Sequence, residues 1–290
     1  MTDTSRTFRP LTRRTFVAGL AASLAGCATT TPKEVLTLPT ARSEKYAAIV
    51  VDASTGRTLF SSAADQGRYP ASLTKMMTLY MLFEAVDSGR VTMSTPMPVS
   101  SYAASRPPSK LGLKAGRSID VNSAIQALVV RSANDVAAVV GEYLAGSEPQ
   151  FASNMTARAR QMGMTRTTFR NASGLPDPGQ RTCARDMALL GLALKRRFPH
   201  HYHFFDQREF TYAGKRIRGH NTLLETGGVD GIKTGYIRAS GFNVVTSVNR
   251  DGKQLVAVVM GGESAAKRDA HMRDLIARYL PEASRRSAGL

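Results

Sequence analysis

The sequence predicts an α+β fold in which an antiparallel sheet packs against a cluster of helices. Strand-like runs stand near the start of the folded region and return near its end, and the segments between them carry helical periodicity. Strands at both ends with helices between them fit that architecture. Periodicity alone takes the fold no further.

In chain order, "YAAIVVDASTGRTLFSS" reads as two strands around a Ser-Thr-Gly turn. An apolar helix over residues 72–86, ending near "DSGR", follows. Residues 95–119 are loop-rich and hold "SRPPSKLGLKAG". "DVNSAIQALVV" predicts a helix capped by Asp120, since a side-chain carboxylate there can accept a free amide of the first turn. It stops at "RSAN", and a second helix, "DVAAVVGEYLAG", departs at once. Helices over 148–162 and 183–197 are separated by the turn-rich "TRTTFRNASGLPDPGQ". "GIKTGY", "FNVVTSVN" and "KQLVAVVMG" predict strands, with Asp251-Gly252 as the hairpin turn between the last two. "SAAKRDAHMRDLIARYL" closes the region as an amphipathic helix.

Residues 1–26 read as an export signal. A basic segment with Arg13 and Arg14 precedes an apolar run from Phe16 to Gly26 that is too short to span a bilayer as a mature helix. The arginine pair resembles a twin-arginine signal. "LAGC" resembles a lipoprotein box, which would make Cys27 a lipidated first residue attached to a membrane. Ordinary export with cleavage near Ala28 is the alternative. Residues 27–44 have a tether's composition, residues 45–280 have the length of one domain, and residues 281–290 form a basic tail. The mature chain keeps only Cys183 besides Cys27, so no internal disulfide is expected, and Cys183 reads as inert and buried. The whole chain carries +17; losing four arginines and one aspartate with the signal leaves +14. Such excess favours anionic partners, and for an exported protein these are carboxylate-rich wall polymer and envelope lipid rather than nucleic acid. The structural alternative is a solvated basic surface.

Three short motifs carry chemistry. In "SLTK", Ser72 and Lys75 stand three apart and so share a helix face. Serine is a poor nucleophile until a base removes its proton. Lysine can be that base where burial, a neighbouring cation or a helix N-terminus lowers its pKa. The competing reading makes Ser72 a cap and lets Lys75 reach solvent. A second copy, "SAAK" at Ser264 to Lys267, reads in just that way. In "SAN", Ser132 and Asn134 sit at a break between helices that can expose a hydroxyl and an amide to a cleft; the decoy "SVN", Ser247 to Asn249, reads as a hairpin end. "KTG", Lys233-Thr234-Gly235, occurs once, in a strand-like segment. A cation plus a hydroxyl suits a carboxylate, and glycine lets another backbone lie close. The three occur in order over about 160 residues, the trio shared by penicillin-binding proteins and class A β-lactamases.

With "SKLGLKAG", "RSANDVA", "FRNASGLPDPGQ", "ARDMALLG", "NTLL" and "ASGFNVV" added, residues 45–280 resemble the low-molecular-mass D-alanyl-D-alanine carboxypeptidase family of serine peptidases. The resemblance implies a β-lactamase/transpeptidase-like fold, with an antiparallel sheet flanked by helices, an all-helical subdomain and the active site between them. It implies that Ser72 is acylated by the penultimate D-Ala carbonyl of a peptidoglycan stem peptide, with Lys75 as base. Ser132 would relay a proton to the departing D-Ala, Asn134 would hold the peptide amide, and Lys233 and Thr234 would bind the terminal carboxylate. The oxyanion would sit between the backbone N–H groups of Ser72 and Tyr236, and Arg268 would help bind the carboxylate or remain a solvated helical arginine.

Members of that family often continue into a β-rich domain and a carboxyl-terminal anchor; this sequence ends at "PEASRRSAGL", so anchoring is expected at Cys27. A class A β-lactamase needs a glutamate to activate the hydrolytic water. None lies in "TRTTFRNASGLPDPGQ", and the glutamates between Asn134 and Lys233 are Glu142, Glu148, Glu209 and Glu225. β-Lactams are therefore expected to acylate Ser72 and leave slowly, as inhibitors. "HHYH", His200 to His203, lacks metal-ligand spacing and reads as a loop surface, and neither metal nor cofactor is expected. A DD-endopeptidase acting on cross-links through the same residues, or a lipoprotein that binds wall without turnover, are the alternative functions.

Overall fold

The computed structural model describes residues 44–285. Cys27, the export signal, the tether up to residue 43 and the last five residues lie outside them. The first hairpin forms as expected: β1 (Ala47–Asp52) pairs antiparallel with β2 (Thr58–Ser62). The apolar segment that follows differs from the expected single helix. Ala71–Thr74 make a 3-10 turn, and α1 (Lys75–Asp87) starts only after it. The stretch expected to be loop holds β3 (Pro96–Pro98), α2 (Ser101–Ala104) and β4 (Ser118–Asp120). β3 pairs with β4 through Met97 and Ile119. Proline at both ends of β3 hides it, because proline argues against a strand wherever a ladder N–H is needed.

α3 (Val121–Gln126) is capped by Asp120, whose carboxylate accepts from Ser123 N at 2.8 Å. It widens into a π-helical turn over Ala127–Arg131 and breaks at Ser132, which adopts a left-handed conformation (φ 58°). α4 (Asn134–Ala145), α5 (Glu148–Gln161) and α6 (Ala184–Arg197) complete the helical part. The Cys183 thiol is buried, caps α6 through Asp186 N, and is pushed up to about 11 chiefly by burial, which suits an inert role.

β5 (Glu209–Tyr212) and β6 (Lys215–Arg218) form a hairpin that the sequence reading missed, because charged side chains mask the alternation. β7 (Val229–Ile237), β8 (Gly241–Arg250) and β9 (Lys253–Gly262) follow, with Asp251 and Gly252 both at positive φ in the β8–β9 turn. α7 (Ala265–Tyr279) is capped by Ser264.

The five-stranded sheet runs β2-β1-β9-β8-β7. Both faces are covered, so its central strands are apolar on both sides. Ala48, Val50, Val244, Leu255 and Val259 face α7 through Met272, Leu275 and Ile276. Ile49, Val51, Val245, Val256 and Val258 face the larger core that includes Leu73, Met76, Met187 and Leu190. β7 is left at the sheet edge beside the 3-10 turn, and that places the site.

Candidate active site

The 3-10 turn carrying Ser72 is held from three sides. Ala71 adopts a left-handed conformation (φ 49°) that a residue with a side chain takes only under constraint. The buried amide of Asn243 on β8 donates to Tyr69 O at 3.0 Å and Pro70 O at 3.3 Å, while its oxygen accepts from Gly261 N. Gly235 on β7 lies against the turn, and a Cβ there would stand 3.0 Å from Ser72 N. Gly174 closes the third side: a Cβ on it would fall 1.8 Å from Ala71 O.

Lys75 follows as the first residue of α1 and is fully buried. Its Nζ lies 3.2 Å from Ser72 Oγ, 2.7 Å from Asn134 Oδ1 and 2.5 Å from Ser173 O. Burial pushes the amine well below its ordinary value, and the positive charge of Lys233 pushes it further. Glu148 and Asp135 oppose the shift. Burial first, and then a neighbouring cation, are the causes that depress it. A neutral amine has two N–H donors and one lone pair. With the donors spent on Asn134 Oδ1 and Ser173 O, the lone pair is left for the Ser72 hydroxyl.

Ser132 is buried and its Oγ finds no partner. The left-handed break turns it into the same cleft as Ser72. Asn134 is engaged at both ends of its amide, taking Lys75 Nζ on Oδ1 and giving Nδ2 to Pro107 O at 2.9 Å. One N–H and one lone pair remain for a ligand. Its neighbour Asp135 gathers the amides of Leu111, Gly112 and Leu113, fixing the loop that forms one wall.

Lys233 is buried on β7, where Nζ donates to Thr234 O at 3.0 Å, and burial together with Arg268 lowers it to about 7. Arg268 is not the solvated arginine that the closing helix allowed. It is buried, pairs with Asp269 at 2.7 Å, donates to Asn243 O at 3.3 Å and lines the cleft. Tyr236 is half exposed at 54% and packs on Phe242. Ser72, Ser132, Asn134, Thr234, Tyr236 and Arg268 thus border one open cleft of about 380 Å³. Lys75 lies buried behind Ser72 and Asn134, and Lys233 is buried on β7 next to the cleft-lining Thr234.

The decoys lie elsewhere. Ser264 caps α7, and Lys267 is exposed beside Glu263. Ser247 bonds Asp230 and Tyr202 on the far side of β7. His201 bonds Asp87 and stacks on Phe83, and no three His, Cys, Asp or Glu among the described residues could hold a metal.

The model of the D-alanyl-D-alanine carboxypeptidase family matches residues 34–264. The chain belongs to that family. The D-alanyl-D-alanine carboxypeptidase DacA of Escherichia coli K12 is 34% identical over 247 residues, covering 82% of this chain and 61% of the relative. The chain thus spans about three fifths of that relative's length. The crystal structure of the carboxypeptidase DacD from Francisella tularensis superposes with a TM-score of 0.77 at 30% identity, over 80% of this chain and 69% of that one. Penicillin-binding protein D2 from Listeria monocytogenes, in its cefotaxime-bound form, matches with a TM-score of 0.70 at 28% identity, over 80% and 95% of the two chains. These neighbours establish the transpeptidase-like fold expected from the sequence, the antiparallel sheet with its helical subdomain.

In this carboxypeptidase-family chain, sequence reasoning missed the groups that act through backbone or packing. Ser173 contributes a carbonyl, Gly174 the absence of a side chain, and Asn243 an amide inside an apolar strand. For Gly174 the available signal was a glycine following a turn-forming Asn-Ala-Ser. For Asn243 the signal was a lone amide among the valines of "FNVV".

Proposed function

We propose that this protein is a serine DD-carboxypeptidase that removes the terminal D-Ala of peptidoglycan stem peptides through an acyl-enzyme on Ser72. One observation carries the reading: a fully buried amine, with its donors spent on carbonyls, lies within hydrogen-bond reach of a cleft-lining serine. Ser72 Oγ attacks the penultimate D-Ala carbonyl as neutral Lys75 takes its proton. The oxyanion that forms is held by the backbone N–H groups of Ser72 and Tyr236, where one such donor is worth about 3 kcal/mol. The proton passes by way of Ser132 to the amine of the leaving D-Ala, and the C–N bond breaks. Water then adds to the acyl carbonyl, gives up a proton to the same base, and releases the shortened peptide with Ser72 restored. Lys233, Thr234 and Arg268 hold the terminal carboxylate, and Asn134 holds the peptide amide with its remaining donor and acceptor.

β-Lactams enter the same reading as inhibitors. No carboxylate stands among the described residues lining the cleft, so the glutamate that activates water in class A β-lactamases has no counterpart there. The substrate is a wall peptide, so the export signal and a lipid-anchored Cys27 belong to this proposal too. No helix among the described residues is long and apolar enough to cross a membrane.

A digest of purified muropeptides tests the activity. Free D-Ala and tetrapeptide from pentapeptide are expected, and neither from Ser72→Ala. Monomers from cross-linked dimers without D-Ala release would make the protein an endopeptidase. Adsorption to wall without any product would make it a binding lipoprotein.

A further inference from the structure

Glu148 is a buried carboxylate that the steps above do not use. It opens α5 and is 3% exposed. Oε1 accepts from Ala172 N at 2.9 Å and Oε2 accepts from the Tyr102 hydroxyl at 2.6 Å. The segment it holds is the one that receives Lys75: Ser173 O accepts from Lys75 Nζ, and Ala172 O accepts from Thr78 Oγ1 on the next turn of α1. Tyr102 belongs to α2, just before the Pro108–Ser109 wall of the cleft, and is covered by the Arg106 guanidinium. One carboxylate therefore joins the wall loop, the carbonyl beneath the base and the helix that carries the base. It does not line the cleft, so it is not a misplaced water-activating group.

We propose that Glu148 is a positioning residue for the Ser72–Lys75 pair, supplying the negative charge that lets a buried amine hold the proton taken from serine. The proposal rests on the acyl-transfer reading above. Proton transfer to Lys75 creates an ammonium ion away from water, and that is costly unless a charge of opposite sign stands near. The groups facing Lys75 are Lys233 on β7, which opposes the ammonium, and Asp135 on α4 and Glu148 on α5, which favour it. Asp135 spends its charge on the amides of Leu111, Gly112, Leu113 and Val136. Glu148 accepts only one amide and one hydroxyl and keeps more of its field for Lys75. Facing Glu148 are Lys75 and Tyr102, and Tyr102 in turn faces Arg106 and Glu142. The Tyr102 hydroxyl is pushed up to about 12, by burial first and then by its bond to Glu148, so it remains a donor.

The test is the pH dependence of acylation by a fluorescent penicillin, measured on wild type, Glu148→Gln and Tyr102→Phe, with melting temperatures alongside. Acylation needs neutral Lys75, so the rate rises with pH through the lysine's pKa. Glu148→Gln removes the favourable charge. The acid limb should move down by about one pH unit, a tenfold change in the proton equilibrium, and the plateau should fall severalfold because the base is weaker. Tyr102→Phe keeps the charge and removes one donor that damps it, so its limb should move upward. If Glu148→Gln does not fold, the direction in Tyr102→Phe decides. A lower plateau or melting temperature in Glu148→Gln with an unmoved limb would make the residue purely structural and overturn the proposal. So would a downward or absent shift in Tyr102→Phe. Wild type that is not acylated at all would instead remove the function on which the proposal stands.

Discussion

Two buried lysines and a buried arginine stand close enough to repel one another, and burial together with that repulsion lowers both lysines. Lys233 titrates near 7 because burial and Arg268 both disfavour its charge. Its protonated fraction falls as pH rises through that value, and with it the attraction for a substrate carboxylate. The kcat/KM of a pentapeptide should therefore decline above about pH 7. The kcat should be less affected, because a bound carboxylate restores the lysine's charge. Arg268→Gln removes one cause of the depression, so the alkaline limb should move to higher pH while KM rises. A pH–rate profile of the two proteins checks both, and an unmoved limb would mean that Arg268 acts on the substrate alone. The candidate residues at this scale were legible as motifs, and the fold brings Ser72, Ser132, Asn134 and Thr234 to one cleft. The depression of Lys75 was legible in direction. Burial and a neighbouring cation were among the causes foreseen; that the cation is Lys233 was not, since Lys233 is remote in the chain and close only in the fold.

At the scale of elements, the site is a 3-10 turn clamped between two glycines and an asparagine. Gly174→Ala would drive a methyl group into Ala71 O at a positive φ of 87°, where neither backbone can yield. It should destabilise the fold by about 3 kcal/mol or more and abolish acylation. Gly146→Ala has the same kind of φ, 78°, but open space around it, and should cost only about 1 kcal/mol with acylation unchanged. Thermal melts and penicillin labelling separate the two, and equal effects would deny the clamp. Asn243→Ala strands Tyr69 O, Pro70 O and Gly261 N in the interior. A loss of about 2 kcal/mol is expected from the unpaired groups, together with slower acylation as the turn loosens. Much of this was hidden from sequence reading for a physical reason. A 3-10 turn and the first turn of a helix share apolar spacing, so the start of α1 was read three residues early. β3 and the β5–β6 hairpin were masked by prolines and by charge.

Across the whole molecule, the order β2-β1-β9-β8-β7 brings the two ends of the folded region together and leaves the Lys233 strand at the edge. Ser72, Ser132 and the Thr234–Gly235 part of the third motif thereby border one cleft. The antiparallel sheet and its helical cover were legible from strand runs at both ends of the region, because those runs have no other apolar surface to share. The strand order was not, since β1, β8 and β9 are equally apolar. The charge of +14 on residues 27–290 belongs to this scale as well. Binding of the Ser72→Ala protein to purified wall sacculi should weaken steeply as salt rises and the Debye length shrinks. Salt-independent adsorption would assign retention to the cleft rather than to the basic surface.

The measurement closest to the core of the account is the intact mass of the protein after incubation with benzylpenicillin at neutral pH, for wild type and Lys75→Met. Wild type should gain one penicilloyl group, on the peptide holding Ser72, and folded Lys75→Met should gain none over the same time. A wild type without the adduct, or a Lys75→Met protein labelled as fast as wild type, would contradict the claim that the amine of Lys75 makes Ser72 reactive.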